Sequence, residues 1–367
     1  MVGGTIIPAN LEGLVAEALR KAVTKLGMVN ILIAGRTGVG KSTLINSVFQ
    51  GCLAETGQGR PVTTHVREIT KEGIPLSIFD TRGLEMADFG QTIKDLETFI
   101  QSKNGDSDPM RHIHVGWICI SEDSRRVERA ETELAEMLAK RFPVIGVVTK
   151  ARADNGFRTV VQDLMPTARN VVRVLALGER QDDGHVLPPR GLVELIRLTN
   201  ELVPEGQRNA LAASQRVDVE AKRMRAHAAV VTASLAAAGA GASPIPFSDA
   251  LILVPIQISM LATITAVFGL PLSTGFLATL VSSAAGCSAA TFVGRTLVSN
   301  LLKMIPGAGT LVGGAISATT AAAFTTMLGE AYIAVLTRLF KDKGIASISE
   351  KDVAEALTKE LSLRKRP

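Results

Sequence analysis

Apolar residues recur at helical spacing near the start of the chain, at Leu11, Leu14, Val15, Ala18, Leu19, Ala22 and Val23, which predicts an amphipathic helix over 11–26. It reads first as a helix packed on the domain that follows, with a membrane-surface anchor as the alternative. From residue 29 the pattern changes. Residues 29–34 are a short apolar run rich in β-branched side chains, as expected of a strand covered on both faces of a sheet. Further strands are predicted at 76–80, 112–120, 142–148 and 171–177. Helices are predicted between them over 43–49, 91–103, 125–141 and 157–168, and a last one over 192–202 follows a turn-rich stretch at 182–189. This alternation predicts an α/β domain with a mostly parallel, doubly wound sheet.

Beyond residue 205 the pattern changes twice. Residues 206–225 read as a charged helical connector, with Arg208, Arg216, Lys222, Arg223 and Arg225 against Asp218 and Glu220. Residues 226–329 then hold only three formal charges, Asp249, Arg295 and Lys303, and neither 250–294 nor 304–329 holds any. A bilayer-spanning helix needs about 20 mostly apolar residues, so both uncharged runs are long enough. Pro244, Pro246, Pro255, Pro271 and Pro306 divide the region, and its many Ala, Gly, Ser and Thr residues contribute little insertion energy. Small residues four apart, such as Gly309, Gly313 and Ser317, allow close helix packing in membrane bundles and in soluble ones. An all-α hydrophobic domain is therefore expected, either membrane-associated or folded on itself or on a partner. Basic residues crowd both sides of it, at Lys222, Arg223 and Arg225, at Arg338, Lys341 and Lys343, and at Arg364, Lys365 and Arg366. If its helices span, both flanks are cytoplasmic and the number of spans is even. The chain then divides into an amphipathic helix (1–27), an α/β domain (28–205), a connector (206–225), a hydrophobic helical domain (226–340) and a basic tail (341–367).

The candidate chemistry lies where the first strand ends. Gly35-Arg36-Thr37-Gly38-Val39-Gly40-Lys41-Ser42 matches G-x-x-x-x-G-K-[ST], and a helix continues from Thr43. In such a loop successive backbone N–H groups converge on phosphate oxygens and the helix N-terminus adds a favourable field. Lys41 then reaches the β- and γ-phosphates, and Ser42 offers a hydroxyl to Mg²⁺. Asp80-Thr81-Arg82-Gly83 follows a predicted strand as D-x-x-G, which assigns Asp80 to Mg²⁺ and the Gly83 N–H to the γ-phosphate. Pro61-Val62-Thr63-Thr64-His65 follows a polar, Gly-rich stretch where a first switch would lie, and Thr64 is the favoured Mg²⁺ ligand there. Lys41, Thr64 and Gly83 are the candidate catalytic groups.

Lys41, Thr64 and Asp80, with the motifs around them, resemble the first three signature motifs of the Era-like, translation-factor-related P-loop GTPases, whose first switch often reads Pro-x-Thr-Thr. The resemblance implies GTP or GDP with Mg²⁺ as ligands, GTP hydrolysis, and a switch loop released when the γ-phosphate is lost. The family's guanine-reading motif is [NT]-K-x-D. Here Thr149-Lys150-Ala151-Arg152 puts a cation at the acid's position, and a cation cannot accept the base's N–H groups. Asp154, two residues on, is the expected substitute, and Ala176 is placed for a backbone contact to the base oxygen. Leu84 stands where Ras-like enzymes carry a water-orienting glutamine, so slow hydrolysis assisted by an activator or by dimerisation is expected. Gly38 replaces the asparagine of potassium-activated relatives. Arg36, Arg60 and Arg82 read either as arginine fingers or as solvated loop charges.

In the apolar region, Ser243-Pro244-Ile245-Pro246-Phe247-Ser248-Asp249-Ala250 and Ile305-Pro306-Gly307-Ala308-Gly309 resemble a bacterial family of uncharacterised GTPases whose C-terminal domain also occurs in inner-membrane proteins. The first stretch is also similar to the Pro-rich entry of the helical domain of immunity-related GTPases. These resemblances imply a cytoplasmic nucleotide-binding domain bound to or inserted in the inner membrane. Membrane lipid and a homodimer or higher assembly are the implied partners.

Composition narrows the alternatives. The net charge of +5 suits nucleic acid or an anionic membrane surface. A ribosome- or RNA-binding GTPase needs a basic recognition domain after the first domain, however, and an apolar one stands there, so nucleic acid is not expected. Cys52, Cys119 and Cys287 are far apart and odd in number, which fits reduced thiols and neither a zinc site nor a disulfide framework. No secretory signal is read at the N-terminus. His65, His112, His114 and His185 have no metal or triad spacing and read as structural or surface groups.

Overall fold

The computed structural model describes residues 11–50, 60–61, 63, 66–71, 73–81, 89–241, 249–270, 273–284, 318–343 and 347–363. The chain divides into two compact units, Leu26–Asp218 and, together, Met1–Lys25 with Val219–Pro367.

The first unit is built on a seven-stranded sheet. Its strands are β1 (Val29–Ala34), β2 (Arg60–Pro61), β3 (Val66–Thr70), β4 (Leu76–Thr81), β5 (Val115–Ser121), β6 (Val144–Thr149) and β7 (Asn170–Arg173), in the order β2-β3-β4-β1-β5-β6-β7. The run from β4 through β1, β5 and β6 to β7 is parallel, while β3 and the short β2 join antiparallel at one edge. A pair of two-residue strands, β8 (Glu179–Arg180) and β9 (Val186–Leu187), forms a small separate ribbon. The helices are α2 (Lys41–Val48), α3 (Phe89–Asn104), α4 (Arg129–Ala139), α5 (Phe157–Leu164), α6 (Leu192–Leu202) and α7 (Glu205–Ser214).

All six β1 side chains are buried because the strand alternates between two cores. Val29, Ile31 and Ile33 share one core with residues of α2, α6 and α7. Leu32 and Ala34 share the other with residues of α3, α4 and α5. The α/β class read from the sequence is thus the observed one.

Some element ends differ from the pattern. The helix expected over 125–141 begins at Arg129, because Arg125 takes a left-handed backbone (φ 50°) and Glu128 with Glu131 forms a capping box. The strand expected over 171–177 ends at Arg173, and Leu175 then pairs antiparallel with Arg190. Of the stretch expected to be a charged connector, 205–214 is α7, whose Ala210 and Leu211 lie in the first core, and a further helix starts at Val219.

The second unit contains α1 (Leu11–Leu26 up to its last residue), α8 (Val219–Gly241), α9 (Asp249–Phe268), α10 (Thr274–Ala284), α11 (Ala318–Lys343) and α12 (Glu350–Leu363). Helix α1, expected to serve the α/β domain, borders a cavity of about 200 Å³ shared with Pro255, Ile258 and Thr263 of α9. Pro255 lies inside α9 and does not end it, and the break comes instead at Gly269 (φ 72°). Helix α11 lies so close to α8 that a Cβ on Gly329 would meet Val230 Cγ2 at 2.5 Å. Two cross-helix polar contacts join the same pair, His227–Glu330 at 2.5 Å and Ser234–Thr326 at 2.7 Å. Lys222 is fully buried on α8, where its Nζ donates to the C-terminal carbonyls of α9 at Val267 (3.2 Å) and Phe268 (3.3 Å) and lies 5.4 Å from the Phe340 ring centre. Thr265 and Tyr332 bond at 2.9 Å, also in the buried interior.

Among the described residues no helix is long and apolar enough to cross a membrane. The expectations that rest on Pro244, Pro246, Pro271, Pro306 and the small residues from Gly309 to Ser317, and on most of 304–329, lie outside the described residues, as do Cys52 and Cys287.

Candidate nucleotide site

The site is built at the C-terminal ends of the parallel strands, beside the point where strand order turns at β1. Residues 35–40 connect β1 to α2 through three glycines of positive φ, Gly35 (147°), Gly38 (79°) and Gly40 (98°). At Gly35 there is also no room, since a Cβ would come within 2.4 Å of the Cys119 carbonyl oxygen. Lys41 Nζ folds back to donate to the carbonyls of Gly35 (2.6 Å) and Arg36 (3.2 Å). Ser42 and Thr43, in the first turn of α2, are exposed. The Arg36 guanidinium is drawn to Glu128 at the start of α4 (3.2 Å), a carboxylate it shares with Arg126 (2.7 Å).

Asp80 lies near the end of β4, in register with Ile33 of β1 on one side and opposite Arg67 of β3 on the other. The acid and the phosphate loop thus emerge from adjacent strand ends. Thr63 is described, and its hydroxyl accepts from Val66 N at 3.0 Å. Thr64, His65, Arg82, Gly83 and Leu84 lie outside the described residues, as does the Arg60 side chain. The donors present, an exposed hydroxyl at Ser42 and a carboxylate at Asp80, are oxygens of the kind Mg²⁺ takes.

The second half of the site is a loop leaving β6. Thr149 is buried, with its hydroxyl 2.6 Å from Val39 O and 3.2 Å from Ile120 O, so this strand is tied to the phosphate loop. Lys150 adopts φ 52° and borders both cavities flanking the loop. The backbone of 151–154 is clamped from three directions. Glu122, which is only 2% exposed, accepts from the N–H groups of Arg152 (2.5 Å) and Ala153 (2.9 Å) and pairs with Arg173 (2.5 Å). Arg190 donates to the carbonyls of Ala151 and Arg152, and Arg125 donates to those of Ala153 and Asp154. A loop with this many charge-assisted bonds keeps its shape before any ligand arrives.

Between this loop and the turn after β7 lies a cavity of about 260 Å³, lined by Gly40, Thr43, Thr149, Lys150, Arg152, Ala176, Leu177 and Glu179 among others. Leu177 offers an apolar side chain, 60% exposed. Asp154 is not among the lining residues. Its Oδ1 accepts from Arg158 N at 2.9 Å at the start of α5 and lies 3.4 Å from Arg173 Nε. Arg152 instead reaches Glu179 through two bonds of 2.7 and 2.8 Å and Asp123 at 2.5 Å. Glu122, Arg125, Arg190 and Glu179 were missed by sequence reasoning. Only Glu122 carried a signal, as an acid directly after an apolar strand at the ligand-binding end of the sheet.

Residues 30–150 match the sequence model of a family described as 50S ribosome-binding GTPase. This stretch is a P-loop GTPase domain. Curated proteins similar to parts of the chain include Translocase of chloroplast 125 from Physcomitrium patens, 46% identical over 56 residues (15% of this chain, 5% of that protein). Another is Translocase of chloroplast 90 from Arabidopsis thaliana, 35% identical over 77 residues (20% and 10%). The tRNA modification GTPase MnmE of Bordetella parapertussis is 25% identical over 181 residues, 47% of this chain and 37% of that protein. The matches thus span between 5% and 37% of these relatives' own lengths. Similar solved structures include a probable GTP-binding protein engB (17% identity, TM-score 0.32, 47% of this chain and 96% of that one). Toc33 from Arabidopsis thaliana is similar at 17% identity and a TM-score of 0.32, over 57% of this chain and 97% of that one. The family match ends at Lys150, so the turn after β7 and the ribbon that carries Glu179 lie beyond it.

Proposed function

We propose that this chain is a nucleotide switch. The GTPase domain binds GTP with Mg²⁺, hydrolyses it slowly to GDP and phosphate, and passes its nucleotide state to the helical unit, which works at the cytoplasmic face of a membrane. The coupling rests on the seam between the end of α2 and the end of α7. Helix α2 begins at the phosphate loop, and Val48, Phe49 and Gln50 at its far end are bonded to the residues from which α8 departs. Gln50 N donates to Ser214 O (3.0 Å), Gln50 Nε2 to Ala213 O (2.6 Å) and Arg216 N to Val48 O (2.9 Å), while Phe49 and Gln215 form an antiparallel bridge. The Gln215 side chain then accepts from the N–H groups of Val217 and Asp218, both at 2.7 Å, and α8 starts at the next residue. A displacement of α2 on loss of the γ-phosphate has a hydrogen-bonded path to the root of α8.

In this reading the loop amides of 35–43 hold the triphosphate, and Lys41 exchanges two carbonyl partners for the β- and γ-phosphates. Ser42 and Asp80, with Thr64, would hold Mg²⁺, and the ion would supply positive charge against the phosphates. The Gly83 N–H meets the γ-phosphate. Leu84 cannot orient water, so an activator or a second copy of the chain supplies that group.

The membrane part is supported by the uncharged runs, by their basic flanks, and by an apolar stripe on α8 at Met224, Val231 and Leu235, which are 69%, 47% and 70% exposed. A second reading makes the helical unit a docking module for a protein partner or a second copy, with the same exposed apolar stripe on α8 as its contact face. Flotation of the full-length protein with anionic liposomes, loaded with GDP or a non-hydrolysable GTP analogue, separates the two. Nucleotide-dependent flotation supports the membrane reading. Protein that stays at the bottom in both states removes it, and mass measurement in the same two states then tests assembly.

A further inference from the structure

We propose that Glu179, held by Arg152, and not Asp154, is the carboxylate that reads the hydrogen-bonding edge of the purine. This deepens the reading of the domain as a guanine-nucleotide site and rests on it. Three observations carry it. The cavity beside Lys150 and Ala176 is lined by Glu179 and Arg152 and not by Asp154. Asp154 is already engaged with Arg158 N and Arg173, on the α5 side of the loop. Arg152, at the position where the family pattern expects an acid, presents its guanidinium fork to Glu179 through bonds of 2.7 and 2.8 Å.

The chemistry agrees with that placement. A carboxylate has about four lone-pair sites, and a bidentate guanidinium takes two of them. The lone pairs left lie on the outer flanks of the two oxygens and point apart, so one oxygen is left to meet the guanine edge, where N1–H and the exocyclic amine are adjacent donors. The same guanidinium, by direct hydrogen bonds, holds the Glu179 carboxyl below its ordinary pKa, so the group is an acceptor only. Adenine presents a lone pair at N1 and is repelled. Xanthine presents an oxygen where guanine has its amine and is repelled as well. An acid from the ribbon that follows β7 thus takes the role that the loop after β6 has in [NT]-K-x-D, and Arg152 is its positioning residue. The bland alternative, an exposed ion pair of no consequence for binding, predicts no change in base preference when the pair is broken.

The test measures dissociation constants of GTP, ITP and XTP for the full-length chain with Mg²⁺, and for Glu179→Gln, Asp154→Asn and Arg152→Gln. Each preference is a ratio taken on one variant, so a smaller folded fraction does not imitate a change in it. The wild type is expected to prefer GTP over both analogues. Glu179→Gln is expected to weaken GTP and to shrink the GTP-to-XTP preference by at least ~10-fold, the lower end for a hydrogen bond to a charged group. Arg152→Gln moves the ratio the same way by a smaller factor, and Asp154→Asn leaves it at the wild-type value. A Glu179→Gln ratio equal to wild type, or an Asp154→Asn shift as large as that of Glu179→Gln, overturns the proposal. Wild-type protein that binds none of the three nucleotides overturns the nucleotide-switch reading itself, which is a different failure.

Discussion

The Thr149 hydroxyl lies 2.6 Å from the carbonyl oxygen of Val39, so the strand that leads to the base-side loop is bonded, out of water, to the phosphate loop. The two halves of the nucleotide site are thereby tied by a buried hydrogen bond. Thr149→Val keeps the shape and removes the donor. It is expected to lower unfolding free energy by about 1–3 kcal/mol, the cost of a buried acceptor left unsatisfied, and to weaken GTP binding. Urea denaturation and nucleotide titration of the same variant check both.

Glu122 is the hidden organiser of the loop after β6. Its side chain is 3% exposed and that of its partner Arg173 is 19% exposed, so removing the acid takes the closer of two carboxylates from a mostly buried cation and leaves it the longer contact to Asp154 at 3.4 Å. Glu122→Ala is expected to cost about 3–5 kcal/mol, the range for breaking a buried pair. It should also release the N–H groups of Arg152 and Ala153, which hydrogen exchange of residues 150–154 will register as faster exchange.

Among the described residues Lys41 Nζ bonds the loop carbonyls of Gly35 and Arg36, so its loss is expected to leave the fold intact and to strip phosphate affinity. Lys41→Ala should raise the Kd for GTP by about 10- to 100-fold, the worth of one charge-assisted hydrogen bond. An unchanged thermal midpoint without nucleotide, with an unchanged Kd, would contradict its assignment to the phosphates.

Burial holds the pKa of Lys222 well below the ordinary lysine value. The unfolded chain therefore binds more protons than the folded one between the depressed pKa and the ordinary value of 10.5. Through this window stability rises with pH, and the contribution falls away as pH drops. Tyr332, also fully buried, is displaced upward from 10.0 and opposes the trend above that pH. The difference in unfolding free energy between wild type and Lys222→Met, followed from pH 6 to about pH 10, isolates the lysine. A slope that rises with pH in the wild type alone is the expected result.

Burial pushes the Cys119 thiol up to about 12, and its side chain is fully enclosed in β5. It is expected to resist thiol reagents in the native protein and to react at the rate of unfolding once denaturant is added. Mass spectrometry of alkylated protein, with and without denaturant, reads this directly.

The phosphate half of the site was legible in the sequence because its physics is local. Three glycines, a lysine and a hydroxyl within eight consecutive positions, Gly35 to Ser42, specify a backbone path whatever the rest of the chain does, and the buried strand before it is equally plain in its apolar run. The parallel sheet followed from alternation for the same reason. Only the tertiary structure decided what lies at the other half. Glu122 with Arg173, Arg152 with Glu179, and Arg190 with the carbonyls of the same loop join positions between 27 and 51 residues apart, and charged side chains in loops have no periodicity that marks their partners. Lys222 makes the point from the opposite side. It stands in a stretch read as a charged connector, yet it is fully buried, because the carbonyls ending α9 and the Phe340 ring give its amino group partners that only the packing of three helices brings together.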